Sequence, residues 1–184
     1  MATEFLKKDG YGQVELNHNS GIVEGRIYAQ YPADTAELGK VLEQGRFVCY
    51  DGTKKLSTSN YVGAVTKPQE NKPVFMIYNE EQFWDERKTM HKDYAMKAED
   101  YINGEMVPRL IEVGVGDIYT TNLVKVTEGD ADKDVEVGTK LTIDADGYLS
   151  VEGTRSEEFT VIKSFSSKTT MPDGQIAVKV QRTK

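Results

Sequence analysis

The sequence holds a single cysteine, Cys49, in 184 residues. No disulfide can form within the chain, and no paired thiols can grip a metal. Placed in the run "RFVCY", Cys49 is expected to be a small buried apolar residue. Histidine is almost as scarce: His18 lies in the polar stretch "ELNHNSG" and His91 among charged residues. Neither has a second histidine at metal-ligand spacing, so no zinc centre is expected and both read as solvated surface side chains. No Gly-x-Ser-x-Gly elbow is present to raise a nucleophilic serine. Long apolar runs are missing too. No stretch approaches the roughly 20 residues that a membrane-spanning helix needs. The opening "MATEFLKKDGYGQVELNHNSG" has no apolar signal core, which makes synthesis in the cytoplasm the expectation. Positive charge is in deficit, with 23 Lys+Arg against 30 Asp+Glu and a net charge of −7. Such a surface repels phosphate backbones and argues against nucleic-acid binding.

What the chain has in quantity is short runs of β-branched, aromatic and aliphatic residues closed by Gly, Asp, Asn or Pro, the signature of strands. They fall at 21–31, 46–50, 60–66, 73–78, 109–113, 117–126, 139–143, 148–151, 158–165 and 175–181. Strands this short, each ended by a turn, pack as a barrel or sandwich. The fold class expected is therefore mainly β.

A phrase recurs within this pattern. "EQGRFVCYDGTKKLS" at 43–57 returns as "EVGTKLTIDADGYLS" at 136–150, and adding 93 maps Glu43, Gly45, Asp51, Leu56 and Ser57 onto identical residues without a gap. A glycine, a short strand, an Asp-containing turn and a Leu-Ser strand start describe a β-hairpin. A third strand, a polar loop and a closing strand follow each copy, so 38–78 and 129–182 are expected to form two related β units. The division of the chain is then an N-terminal arm at 1–20, a first β unit at 21–78, an insertion at 79–108 and a second β unit at 109–184.

The insertion has helical spacing. Phe83, Arg87, Met90, Tyr94, Ala98 and Tyr101 follow one another at intervals of 4, 3, 4, 4 and 3 residues, which sets them on one face of an α-helix. Asn79 suits the N-cap with Gln82 as its capping-box partner, and Gly104 and Pro108 suit the stop. The face can cap an open end of the β core, or the segment can project as a lobe that carries the one tryptophan, Trp84. The arm is poor in apolar side chains and contains Gly10 and Gly12. It is expected to be disordered in free solution and to order against a neighbouring subunit.

Chemistry-bearing motifs fail on inspection. "DADKD" at 130–134 has the alternating aspartates of a calcium loop, but the sixth and twelfth positions are Val135 and Leu141, where such a loop needs glycine and glutamate. "DADG" at 144–147 reads as a polar turn. "GVG" at 114–116 leads into a strand and offers no helix N-terminus to a phosphate. No catalytic residue, metal or cofactor is expected.

The strands "GRFVCYDG", "YVGAVT" and "PVFMIYN", with a polar N-terminal arm, resemble the small capsid decoration proteins of tailed bacteriophages, also called head-stabilising, cement or auxiliary capsid proteins. Gly45, Asp51, Gly52, Val62, Gly63 and Val65 stand where that family places a strand-opening glycine, a "DG" turn and a "VG-V" strand. "MVPRLIEVGVGDIYTTN" at 106–122 is similar to segments of structural proteins from such phages. The resemblance implies a non-enzymatic virion protein on the outer surface of an icosahedral shell, bound to the major capsid protein and associated there with further copies of itself. A tail-tube, head-fibre base or adaptor protein would share the all-β composition. A carbohydrate-binding β-domain would need exposed rings on a groove, which Tyr28, Tyr31, Trp84, Tyr94 and Tyr101 could supply. The partner-binding surface is expected on the arm and the insertion, at Phe5, Tyr11, Phe83, Trp84, Met90 and Tyr94, because interfaces favour large aromatics and methionine.

Overall fold

A computed structural model describes residues 2–7, 10–79, 95–129, 135–164, 171 and 175–184. Along the chain the strands are Thr3–Phe5 (β1), Val14–His18 (β2), Ile27–Tyr28 (β3), Val41–Glu43 (β4), Phe47–Lys55 (β5), Val62–Thr66 (β6), Val74–Ile77 (β7), Ala95–Lys97 (β8), Leu110–Ile111 (β9), Ile118–Thr121 (β10), Val124–Thr127 (β11), Lys140–Ile143 (β12), Leu149–Ser150 (β13), Glu158–Lys163 (β14) and Val178–Arg182 (β15). Two four-residue helices accompany them, Ser20–Val23 (α1) and Thr35–Leu38 (α2). The protein is mainly β, a sandwich of packed sheets rather than a closed barrel.

Eight strands make the outer sheet in the order β1-β11-β13-β12-β14-β15-β10-β2, and five make the inner sheet in the order β3-β9-β7-β5-β6. Their patterns differ for a physical reason. Strands β11, β12, β14 and β15 alternate, with Val124, Val126, Leu141, Ile143, Phe159, Val161, Val178 and Val180 buried and their neighbours less so. One face of this sheet is core and the other meets water. In the inner sheet, Phe47, Cys49, Val74, Met76 and Ile111 face the outer sheet, while Val48, Val65, Phe75, Ile77 and Leu110 face the opposite way into a second cluster. A strand buried on both faces has no polar positions to alternate with. That is why "FVC" and "VFMI" are unbroken apolar runs. The second cluster is covered by Leu38 of α2, by Leu42 and Met96 of the β4–β8 ribbon, and by Met106 and Tyr101.

Three expectations change here. From Ala95 onward the insertion is not a helix: β8 pairs with β4, and two 3-10 turns, 98–100 and 102–104, follow it. Ala98 and Tyr101, two members of the helical spacing, reach the second cluster from the 3-10 turns, a geometry that a 3.6-residue period imitates over a few positions. Asn79 staples the insertion's base, its Oδ1 accepting from Arg109 N at 2.9 Å. The arm is not a free tail. β1 pairs with β11 and β2 with β10, so the two arm strands form both edges of the outer sheet.

The repeated phrase is the third. Gly45 and Gly138 each open a strand with positive φ, at +88° and +95°. Asp51 and Asp144 each form an Asx turn, accepting from Thr53 N and Asp146 N at 2.9 Å. The return strands β6 and β14 both run antiparallel to the first. However, β5 does not reverse at Asp51: it continues to Lys55 through a bulge, whereas β12 turns at Asp144–Tyr148. The closing strands also part company, β7 joining β5 and β15 joining β14. One copy sits in each sheet. They touch where Phe47 N donates to Gly147 O at 2.7 Å.

Candidate partner-binding site

The arm runs antiparallel beside one bent strand. β10 leads through Asn122 and Leu123 into β11, and these two strands lie toward opposite ends of the outer sheet, so the sheet rolls until its ends meet at this corner. Asn122 is wholly buried. Its carbonyl accepts from Lys7 N at 3.1 Å and its Oδ1 from Gln13 N at 2.7 Å. The Thr121 hydroxyl donates to Gln13 O at 2.8 Å and accepts from Leu123 N at 3.0 Å. The bend thus satisfies its backbone groups with the arm, as buried polar groups require.

Beside the corner, arm and body meet in a cluster of rings and charges. Phe5 stands edge-on to Tyr148, centroids 4.9 Å apart. Lys125 lies 4.8 Å from the Tyr148 centroid and 5.8 Å from that of Phe5, and the Arg46 guanidinium is 5.1 Å from Tyr148. Carboxylates close the set: Lys125 Nζ donates to Asp144 Oδ2 at 2.6 Å, and Lys67 Nζ to Asp146 Oδ1 at 2.6 Å. The Lys67 hydrogen bond holds the Asp146 carboxyl below its usual range, and burial pushes the Tyr148 hydroxyl up. Lys7 pairs with Glu43, whose Oε1 also accepts from Gly12 N at 2.9 Å. "DADG" is therefore a turn whose carboxylates belong to lysines. Among the described residues no group of three or more His, Cys, Asp or Glu side chains gathers as a metal site would require.

Tyr11 lies half-buried on the other side, with Lys97 Nζ 5.3 Å from its ring and Lys7 Nζ 6.0 Å away. Its hydroxyl hydrogen-bonds Lys97 and holds that ammonium above its ordinary pKa. Tyr11, Lys40, Val41, Lys97 and Asn103 line an open cleft of about 490 Å³. A second, of about 730 Å³, lies between Pro68–Pro73 and Thr154–Glu157. Arg155 dominates its wall but is fully engaged, donating to Gln69 O at 2.6 Å, to Lys72 O at 3.0 Å and bidentately to Glu157.

Of the six predicted interface residues, Phe5 and Tyr11 come to the same end of the molecule, each half-buried. Phe83, Trp84, Met90 and Tyr94 lie outside the described residues, as do His91 and the 130–134 aspartates. Lys125, Tyr148, Arg46 and Asn122, which build the arm's seat, went unrecognised, because no local motif joins them to the arm, or joins Arg46 to the other three, from so far away in the chain. His18 is exposed, 3.5 Å from Asp117. Of the tyrosines offered to a sugar, three are among the described residues: Tyr31 stacks on Tyr50 at 4.1 Å, Tyr28 stands edge-on to Phe75 with 42% of its surface exposed, and Tyr101 packs on the second core cluster. The Tyr31 hydrogen bond pushes the Tyr50 hydroxyl up to about 12.

Large apolar side chains do reach solvent elsewhere. Val23 is 82% exposed, Ile102 88%, Val115 68% and Val137 62%, with Tyr61 and Val62 beside one another at the inner-sheet edge. Val23 ends helix α1, and the others stand on strand ends or turns. Val115, for example, lies in a loop fastened by Asp117, which accepts from Gly114 N at 2.7 Å and Ser20 N at 2.8 Å. No family model matches the chain, and no curated protein or solved structure shows significant similarity to it.

Proposed function

We propose that the protein is a non-enzymatic structural component of a tailed-phage virion, which binds the outer surface of the icosahedral shell and stabilises contacts between major capsid protein subunits. The observation that carries this reading is a β sandwich that exposes large aliphatics, Val115 and Val137 on hydrogen-bonded turns, Ile102 in a 3-10 turn and Val23 at the end of α1, as side chains available for protein contact. The glycine-turn-strand phrases around Gly45 and Gly63 support the family assignment. Mass action supplies the mechanism. A ligand that binds only the assembled lattice stabilises it by RT ln(1 + [L]/Kd), about 4 kcal/mol per site when free ligand is 1,000 times Kd. A net charge of −7 suits a coat that must not adhere to released DNA.

DNA-filled shells that lack the protein provide the test. Purified protein is expected to bind them saturably, at a fixed ratio to the capsid subunit, and to raise the temperature at which they release DNA. Absence of saturable binding would overturn the proposal.

A further inference from the structure

We infer that residues 2–7 are an exchangeable strand, whose alternative seat is the same groove on a second copy of this chain. The groove is defined by its present occupant. Thr3, Glu4 and Phe5 pair with Thr127, Val126 and Lys125. Leu6 N donates to Val124 O at 2.8 Å, and the Leu6 side chain plugs the main core at 5% exposure. Phe5 closes over Tyr148. If the strand leaves, β11 becomes a bare edge beside an open apolar socket, the arrangement that recruits another extended segment. The segment of matching sequence is the same strand of another copy, and every contact of the groove would be remade in exchange.

The reason for exchange lies at the corner. Lys7 N and Gln13 N both bond Asn122, one to its carbonyl and one to its side chain. The chain between these two positions therefore closes on a single residue, with Gly10 at φ +67° and Gly12 so placed that a Cβ there would lie 2.7 Å from Gln44 O and from Leu123 Cδ2. In the exchanged form this loop is released from closing on itself, and extended at about 3.3 Å per residue it spans roughly 17 Å toward a neighbour. Closure of a short loop is the condition that invites exchange. Farther along, the arm is anchored. Asp117 accepts from Ser20 N at 2.8 Å and from the Ser20 hydroxyl at 3.0 Å, and Asn19 Nδ2 donates to Glu112 O at 3.2 Å. Only the first strand is free to move.

Cysteine pairing tests this in solution without any shell, so its outcome is independent of the virion reading. Thr3 and Thr127 face one another across an antiparallel ladder, where Cα separations of about 4.5–5.5 Å permit a disulfide. The double variant Thr3→Cys/Thr127→Cys, oxidised at low concentration, is expected to link within its own chain. Failure to do so would remove the groove and with it the proposal. The two single variants, mixed, warmed to equilibrium and oxidised, are expected to give a two-chain species that peptide mapping assigns to positions 3 and 127, in a fraction that rises with concentration. A two-residue Gly-Ser insertion after Gly10 eases the closed loop and should lower that fraction severalfold, whereas chance collisions would be indifferent to it. Absence of the interchain 3–127 link at every concentration, or no response to the insertion, would overturn exchange.

Discussion

Tyr119 is the largest side chain in the main core, and its hydroxyl has no hydrogen-bond partner among the described residues. Burial raises its pKa well above the ordinary value, so it stays neutral. An unpaired buried hydroxyl costs about 1–3 kcal/mol. Tyr119→Phe is therefore expected to leave stability unchanged or raise it by up to about 1 kcal/mol, measured by urea unfolding; a clear loss would reveal an unseen partner. Glu157 is the opposite case. Burial works to raise its carboxyl, but the bidentate bonds from Arg155 outweigh it and hold the carboxyl below its usual range. A depressed folded pKa means stability that is present above the unfolded value, near 4.3, and fades as pH falls through the lower folded one. Glu157→Gln should lose about 1–3 kcal/mol at pH 7 and progressively less below pH 4. An equal loss at both ends of that range would refute the linkage.

Glycines at matching points of the repeated phrase separate backbone strain from packing at the scale of an element. Gly45 and Gly138 both sit at positive φ. A Cβ on Gly138 would meet nothing, while one on Gly45 would lie 2.8 Å from Val14 Cγ2 in the arm. Gly138→Ala should cost about 1–2 kcal/mol, the usual strain of a left-handed alanine. Gly45→Ala should cost at least about 1 kcal/mol more, because β2 must shift. Equal losses in thermal unfolding would show that the arm strand is not held against β5. The corner gives a related expectation: Asn122→Ala strands Gln13 N without its acceptor and should cost about 1–3 kcal/mol.

Across the whole molecule, the inner sheet holds the structure together. Its residues enter both core clusters, and through the first of them the buried face of the outer sheet packs upon it. Strands from distant parts of the chain close each sheet, β9 joining β3 and β7, and the arm completing the outer one. Neither half can therefore bury its apolar face alone. Calorimetry is expected to show one transition, with van't Hoff and calorimetric enthalpies in agreement. Two resolved transitions would mean that the halves fold as separate units.

Strand content was readable from Val, Ile, Tyr and Phe runs ended by Gly or Asp, because propensity and turn chemistry act over a few residues. The burial of Cys49 and the two glycine-opened strands followed from the same short-range rules. Helical spacing at Ala98 and Tyr101 misled, since those side chains belong to the 3-10 turns that follow β8, whose place is set by its pairing with β4 some 50 positions away. The arm's low apolar content hid its role for a similar reason. Its order comes from backbone hydrogen bonds to β10 and β11, which carry no signature in side-chain composition, together with two side chains, Phe5 and Leu6, whose partners are far away in the chain. The seat of rings and cations around Tyr148 likewise exists only because folding brings Phe5, Arg46 and Lys125 together. Local forces chose the elements; register, sheet membership and the site arose from contacts between residues that the chain itself keeps far apart.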